Sequence, residues 1–438
     1  MTRSARRSPL LHAATVTTAF VLSLVTTLAW AWTGGVDQLG LTVGSGDPTV
    51  QGPALPGPEP VGTRPEPGVP LRPQRPHPVA PAAPGRTAAP ATPAAPAAAS
   101  TTATVTARGG PRPSTAPTGG PCRTGVKLVP TCGILWGVAP GAFTDRRGAD
   151  ALARFEKKTG RHQNVFHAYH RGTNQIFPTK TEIAIARQKG RERILLLNWK
   201  PAGASWAEIA RGDAKTDAFL DRLAAHLKRN YPEDFFLAVH HEGEDNVRQR
   251  KGSGYTAADY AAMFRYVIKR LRSRGADNVV SVLIHMAYVP HTTKSWFHDM
   301  YPGDDVVDWI GFDTYAYSDP GYGHGDFAEL LNRRAKSKPA WPGFYNWAVR
   351  RHPDKPLMVA EWGVWSSKRN PGHKPDFYRE VGRQLPRFPN LRALVYFDTP
   401  HNQDGRDSRV DATGESLRAY RRLGSLPVFR VRVDRDVS

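Results

Sequence analysis

Glu242 and Glu361 are the residues in this sequence best placed to do chemistry. Each closes a short apolar run: Phe235-Phe236-Leu237-Ala238-Val239 stops at His240-His241-Glu242, and Pro356-Leu357-Met358-Val359-Ala360 stops at Glu361-Trp362-Gly363. A buried parallel strand is apolar along its length and carries ionisable groups at its C-terminal tip. Cleaving a glycosidic bond requires one carboxylic acid to protonate the leaving oxygen and one carboxylate across the anomeric carbon. Glu242 stands among His240, His241, Glu244 and Asp245, where pKa values shift easily, and so suits the proton donor. Glu361 sits between Val359-Ala360 and Trp362, an apolar setting that suits a fixed nucleophile. Trp136, Trp199, Trp296, Trp362 and Trp365 lie near strand ends, where they could stack on sugar faces. His170, His241, Asp313, Tyr315 and Tyr317 could hydrogen-bond sugar hydroxyls.

Such a pair works only if the fold brings it together. Apolar runs at 133–138, 164–169, 193–199, 235–241, 279–287, 306–312, 357–361 and 394–397 alternate with longer amphipathic stretches, the clearest at 213–229 and 257–273. Eight strands interleaved with helices predict an α/β (β/α)8 TIM barrel. An open doubly wound sheet would place a glycine-rich phosphate loop after the first strand, and Gly137-Val138-Ala139-Pro140-Gly141 does not provide one. In a barrel all strand C-termini meet at one rim, so the tips of strands four and seven face each other across the mouth. Strict alternation puts His240 and Glu242 on one face and His241 on the other. His241 joins Glu242 only if the strand end departs from that rule, for example by a bulge.

The 438 residues divide into three parts. Residues 1–32 carry Arg3, Arg6 and Arg7 and then an apolar stretch ending near Ala29-Trp30-Ala31, the pattern of a cleaved signal peptide or a retained membrane anchor. Residues 33–120 are dominated by Pro, Ala, Thr and Gly, too poor in large apolar side chains to fold, and predict an extended spacer. Residues 121–438 form the barrel domain, on the cell surface or secreted. Cys122 and Cys132, the only cysteines, predict a disulfide in an exported chain. The formal charge of +21 is spread among acids through the domain and accompanies no nucleic-acid motif. It suits anionic wall or capsule polymers, with membrane contact limited to the N-terminal segment.

The ending His241-Glu242, the run YPGDDVVDWIGFDTY at 301–315 and KPLMVAEWG at 355–363 together resemble glycoside hydrolase family 26. The resemblance covers about residues 133–423. It implies a retaining (β/α)8 glycosidase, endo-β-mannanase-like, with no cofactor or metal and a polysaccharide substrate. By this likeness Glu242 is the acid/base and Glu361 the nucleophile. His241 contacts the sugar or the nucleophile, Tyr315 bonds Glu361, and Asp313 supports the site, while Trp136, Trp199 and Trp362 stand as sugar-binding candidates. Mannanases of the family carry an Asn-Gly and tryptophan-rich segment after His-Glu, where this chain has Gly243-Glu244-Asp245-Asn246. Their strand-eight tryptophan is replaced by Tyr396-Phe397-Asp398. Both departures lie where substrate rests, so the expected substrate is a mannan-like or other β-linked glycan. The alternatives are a non-catalytic carbohydrate-binding barrel and a metal-dependent hydrolase built on the 240–245 ligands, although no H-E-x-x-H pattern occurs.

Overall fold

Eight parallel strands close on themselves. In this computed structural model, which describes residues 120–144, 147–319, 325–335 and 340–434, they are β1 (Leu135–Pro140), β2 (Val165–Arg171), β3 (Ile194–Lys200), β4 (Phe235–Val239), β5 (Val279–Met286), β6 (Trp309–Tyr317), β7 (Leu357–Trp365) and β8 (Leu391–Asp398). Each pairs in parallel with the next, and β8 returns to β1. The (β/α)8 barrel is therefore the fold. The expected signal or anchor at 1–32 and the linker, apart from residue 120, lie outside the described residues. No helix among the described residues is long and apolar enough to cross a membrane.

The helices start where their sequence lets them. Thr179, Ser205 and Thr256 each accept a backbone N–H from the acid three residues on, and that acid bonds back to the cap. Side chains of alternating parity then split the core. Leu135, Val165, Ile194, Leu196, Phe236 and Ala238 fill the barrel interior. Val138, Phe166, Leu195, Leu197 and Leu237 meet Phe219, Leu223, Met263 and Phe264 from the surrounding helices. Between β6 and β7 two helices form, Phe327–Leu331 and Phe344–Arg351, with Pro342 between them.

One end of the barrel is sealed. Cys122–Arg123 pairs in parallel with Val431–Arg432, and a Cys122–Cys132 disulfide closes the N-terminal loop. Leu128 packs into the interior, and Trp309 donates its indole N–H to the Lys127 carbonyl at 2.8 Å. Asn164 donates to the Val431 carbonyl at 2.8 Å. All these contacts lie at strand N-termini. The strand C-termini are left as the mouth.

Candidate functional site

Interior parity decides what the mouth contains. Continuing inward from Val165 on β2 gives His167 and Tyr169; from Ile194 and Leu196 on β3 it gives Asn198 and Lys200; from Trp309 on β6 it gives Asp313 and Tyr315. β8 adds Phe397.

β7 breaks the pattern where it matters. Phe312 pairs with Val359, but Asp313 pairs with Glu361, so Ala360 is an extra residue in a bulge. Ala360 remains in the interior cluster, and Glu361 is turned inward behind it. The departure at the β4 tip takes another form. His240 and Glu242 both adopt left-handed backbone, at φ +50° and +52°, which is sterically unfavourable for residues with a Cβ. These two turns throw His240 outward and deliver His241 and Glu242 to the mouth. His240 accepts from Trp206 Nε1 at Nδ1 (2.9 Å), so its proton sits on Nε2, facing Asn246 Oδ1 at 3.0 Å. Burial, followed by the charge of Lys200, brings its pKa down to about 3.

Glu361 is the most tightly held group. Only 6% exposed, it accepts Tyr169 Oη at Oε1 and Tyr315 Oη at Oε2, both at 2.7 Å. His241 Nε2 lies 3.8 Å from Oε1. Burial raises its pKa while the two phenols oppose that rise. Glu242 differs. Among the described residues no side-chain or backbone donor reaches its carboxyl. Desolvation, then the charges of Glu361, Asp245 and Glu244, push it well above the usual glutamate value, with Lys200 pulling weakly the other way. The two carboxyls are thus unequal: burial and neighbouring charge push Glu242 well above the usual range, whereas two phenols oppose the rise at Glu361.

Asp313 is 3% exposed, and among the described residues no side chain donates to its carboxyl, the Glu361 backbone N–H being the one donor that acts on it. Burial and the charges of Glu361 and Glu242 raise its pKa far above the usual range. His241, brought down to about 3 by burial and Lys200, is neutral. Among the described residues His241, Asp313 and Glu361 each offer a ligand atom within 4.8 Å of the others, a trio that could hold a metal ion, although both Glu361 oxygens already accept phenols. The 240–245 ligand set does not assemble: Glu244 meets His285 Nδ1 at 2.5 Å, and Asp245 meets His291 Nε2 at 2.9 Å. Histidines engage both.

The tryptophan assignments need correction. Trp136, Trp199 and Trp362 are 1%, 0% and 0% exposed and point away from the mouth. Trp199 shares parity with Leu195 and Leu197 and stacks on Phe219 at 5.2 Å, its N–H on the Gly172 carbonyl. Trp136 packs on Phe429 at 4.3 Å, and Trp362 on Tyr396 at 4.8 Å. His170 likewise faces outward, against Glu182 at 3.0 Å. Trp365, the last residue of β7, is buried, stacked on Tyr315 at 5.4 Å with the Arg406 guanidinium 4.4 Å from its ring centre. The rings that do border the mouth are Tyr169 and the exposed Phe143, both packed around Phe397 at 6.2 and 5.5 Å. Trp199→Ala should therefore destabilise the fold by about 3–5 kcal/mol, read by denaturant unfolding, with the KM of the surviving folded fraction unchanged. A raised KM at unchanged stability would return Trp199 to the sugar site.

Comparison with known proteins places this site in context. The glycosyl hydrolase family 26 model matches residues 223–336, which include His241, Glu242, Asp313 and Tyr315 but stop short of Glu361. A beta-1,3-xylanase of a Vibrio species is 38% identical over 110 residues, 25% of this chain and 20% of that protein. A beta-1,3-xylanase of an Alcaligenes species is 33% identical over 109 residues, 25% of this chain and 19% of that protein. The match thus spans about a fifth of the length of these curated relatives. A GH26 beta-mannanase structure from Bacteroides ovatus superposes with a TM-score of 0.47 at 18% identity, covering 68% of this chain and 90% of that one. Residues 223–336 of this barrel are thus similar in sequence to glycosyl hydrolase family 26.

Proposed function

We propose that this protein is an exported glycosidase that cleaves a β-linked polysaccharide by retaining double displacement. The observation that carries the reading is the inequality of the two carboxyls: Glu361 is fixed by two phenols, and Glu242 has no donor and is pushed towards its neutral form. In the first step a Glu361 oxygen attacks the anomeric carbon while Glu242 gives its proton to the departing glycosidic oxygen. In the second, the Glu242 carboxylate takes a proton from water, which attacks the same carbon and releases Glu361. Tyr169 and Tyr315 hold the Glu361 carboxylate in orientation, so little of the barrier is spent on positioning it. The printed names of the two curated relatives put β-1,3-xylan beside β-mannan as candidate substrates. Export rests on the charged and apolar N-terminus and on the Cys122–Cys132 disulfide, a bond that persists in oxidising compartments. A basic surface adds affinity for anionic wall or capsule polymers.

The test is hydrolysis of a panel containing β-1,3-xylan, β-1,4-xylan, β-mannan and mixed-linkage glucan, with the anomer of the first-formed product followed by proton NMR. Retained configuration on at least one glycan is expected. Inversion would sink the two-step route, and turnover on none would sink the hydrolase reading.

A further inference from the structure

Cations collect on one arc of the mouth. Arg171 and Lys200 are the terminal, inward-parity residues of β2 and β3 and are register partners. The loop after β4 adds Arg248, Arg250 and Lys251, all exposed. That loop is built rather than loose: Arg248 N–H donates to the Tyr255 carbonyl at 2.8 Å, Ser253 Oγ to the Arg248 carbonyl at 2.7 Å, and Ala207 N–H to the Gly254 carbonyl at 3.1 Å. The Arg248 guanidinium lies 5.3 Å from the Tyr255 ring centre.

Several arginines elsewhere on this surface are paired, Arg187 with Glu233, Arg265 with Asp305, Arg270 with Asp217 and Asp221, and Arg409 with Asp407. On the arc they are not. Among the described residues Arg171, Lys200, Arg250 and Lys251 have no carboxylate within ion-pair distance. The acids on the same arc are engaged otherwise, Glu244 and Asp245 by His285 and His291, and Glu208 by the Ser205 cap. Lys200 Nζ donates to Asn246 Oδ1 at 3.0 Å, which fixes it beside the β4 tip. The like charge of Arg171 acts on it, and burial lowers its pKa. An unpaired, partly desolvated set of cations is a place where an anion binds with little competition from the protein's own carboxylates.

We propose that Arg171, Lys200 and the 248–251 loop form a subsite for an acidic sugar unit, a uronate or similarly carboxylated residue, on the leaving-group side of the scissile bond. The side follows from Glu242, which follows the strand next to that of Lys200 and feels the charges of both Lys200 and Glu361. As the proton donor it faces the leaving group. The placement therefore rests on the glycosidase reading, whereas the binding preference does not.

Two measurements separate them. In calorimetry with the full-length Glu361→Gln chain, neutral β-xylan and β-mannan oligosaccharides are compared with glucuronic-acid-branched or oxidised counterparts on the same backbones. The acidic member of a pair should bind about tenfold tighter at low salt, the scale of a few exposed charge contacts. Adding Arg171→Gln, Arg250→Gln and Lys251→Gln together, or raising sodium chloride, should erase the difference. Equal affinity within every pair, or equal affinity for dextran sulfate and the acidic oligosaccharide, would overturn the subsite. With the wild-type enzyme, mass spectrometry of products should find the acidic unit at the non-reducing end of the released fragment. Finding it on the other fragment would overturn the placement. An acid preference in a chain that hydrolyses nothing would leave the subsite standing and remove the glycosidase.

Discussion

Glu361→Gln is expected to lower kcat by about 10⁴-fold or more, the scale on which losing a covalent nucleophile registers, with oligosaccharide affinity retained. The substitution keeps the side chain's shape and leaves an oxygen to accept one phenol and an amide to face the other, so the fold should persist. What it removes is the electron pair that forms the glycosyl bond. A smaller residue sharpens the result. Glu361→Ala opens a space on the nucleophile's face, and azide entering there should restore turnover and yield a glycosyl azide of inverted configuration. Azide rescue with retained configuration would place the missing group on the other face and reverse the two roles. A Glu361→Gln enzyme with more than about a hundredth of wild-type kcat would show that Glu361 acts only through its charge, because electrostatic contributions of single groups reach about 10²–10³. The phenols give a further check. Because Tyr169 and Tyr315 both donate to Glu361, burial and that carboxylate raise their own pKa values well above the ordinary tyrosine range. Replacing Glu361 by a neutral residue should lower both, which ultraviolet titration of the phenols would record.

The barrel was legible because its signal is repeated eight times: a short apolar run, then a longer amphipathic one. Glu242 and Glu361 stood out because each follows such a run directly. Nearness to a strand end does not place a tryptophan at the mouth, because parity decides which way the ring points. Trp199 shares a face with Leu195 and Leu197, and Trp136 with Val138, so alternation alone sends both to the helix layer. The same rule would have found Tyr169, in phase with Val165 and His167 and bonded to Glu361. It would also have found Lys200, in phase with Leu196. Other features leave no local trace. Nothing in His240-His241-Glu242 announces two left-handed residues, since that backbone is usually marked by glycine or asparagine. The bulge at Ala360 is equally silent, because it is set by how β7 fits β6 rather than by its own composition. Yet these two irregularities aim the carboxyls. Regular strands position the walls of this site, and the exceptions position its chemistry.

Glu242→Gln is expected to reduce kcat by about 10²–10⁴-fold on substrates with poor leaving groups, the usual worth of a general acid, and far less on an activated aryl glycoside whose departure needs no proton. The pH profile carries the sign. Wild-type activity should fall at low pH as Glu361 is protonated and at high pH as Glu242 loses its proton, the latter well above the usual 4.5. Glu242→Gln, measured on the aryl glycoside, should keep the acid limb and lose the basic one. Stability should move the opposite way to activity. A carboxyl whose pKa is raised on folding favours the folded state fully below its unfolded value of 4.5, and that contribution is lost as pH rises through the folded value. The glutamine does not ionise and suffers no such loss. Near neutral pH the variant should therefore melt at a higher temperature than wild type, and the gain should vanish below 4.5. A lower Tm at neutral pH would mean that Glu242 is a stabilising carboxylate, ionised and paired, and hence unable to be the proton donor. Gain in stability together with loss of turnover at one position is what strain held for catalysis predicts: desolvation at the β4 tip and two left-handed residues oppose folding, and the proton they keep on Glu242 is the one the leaving group needs.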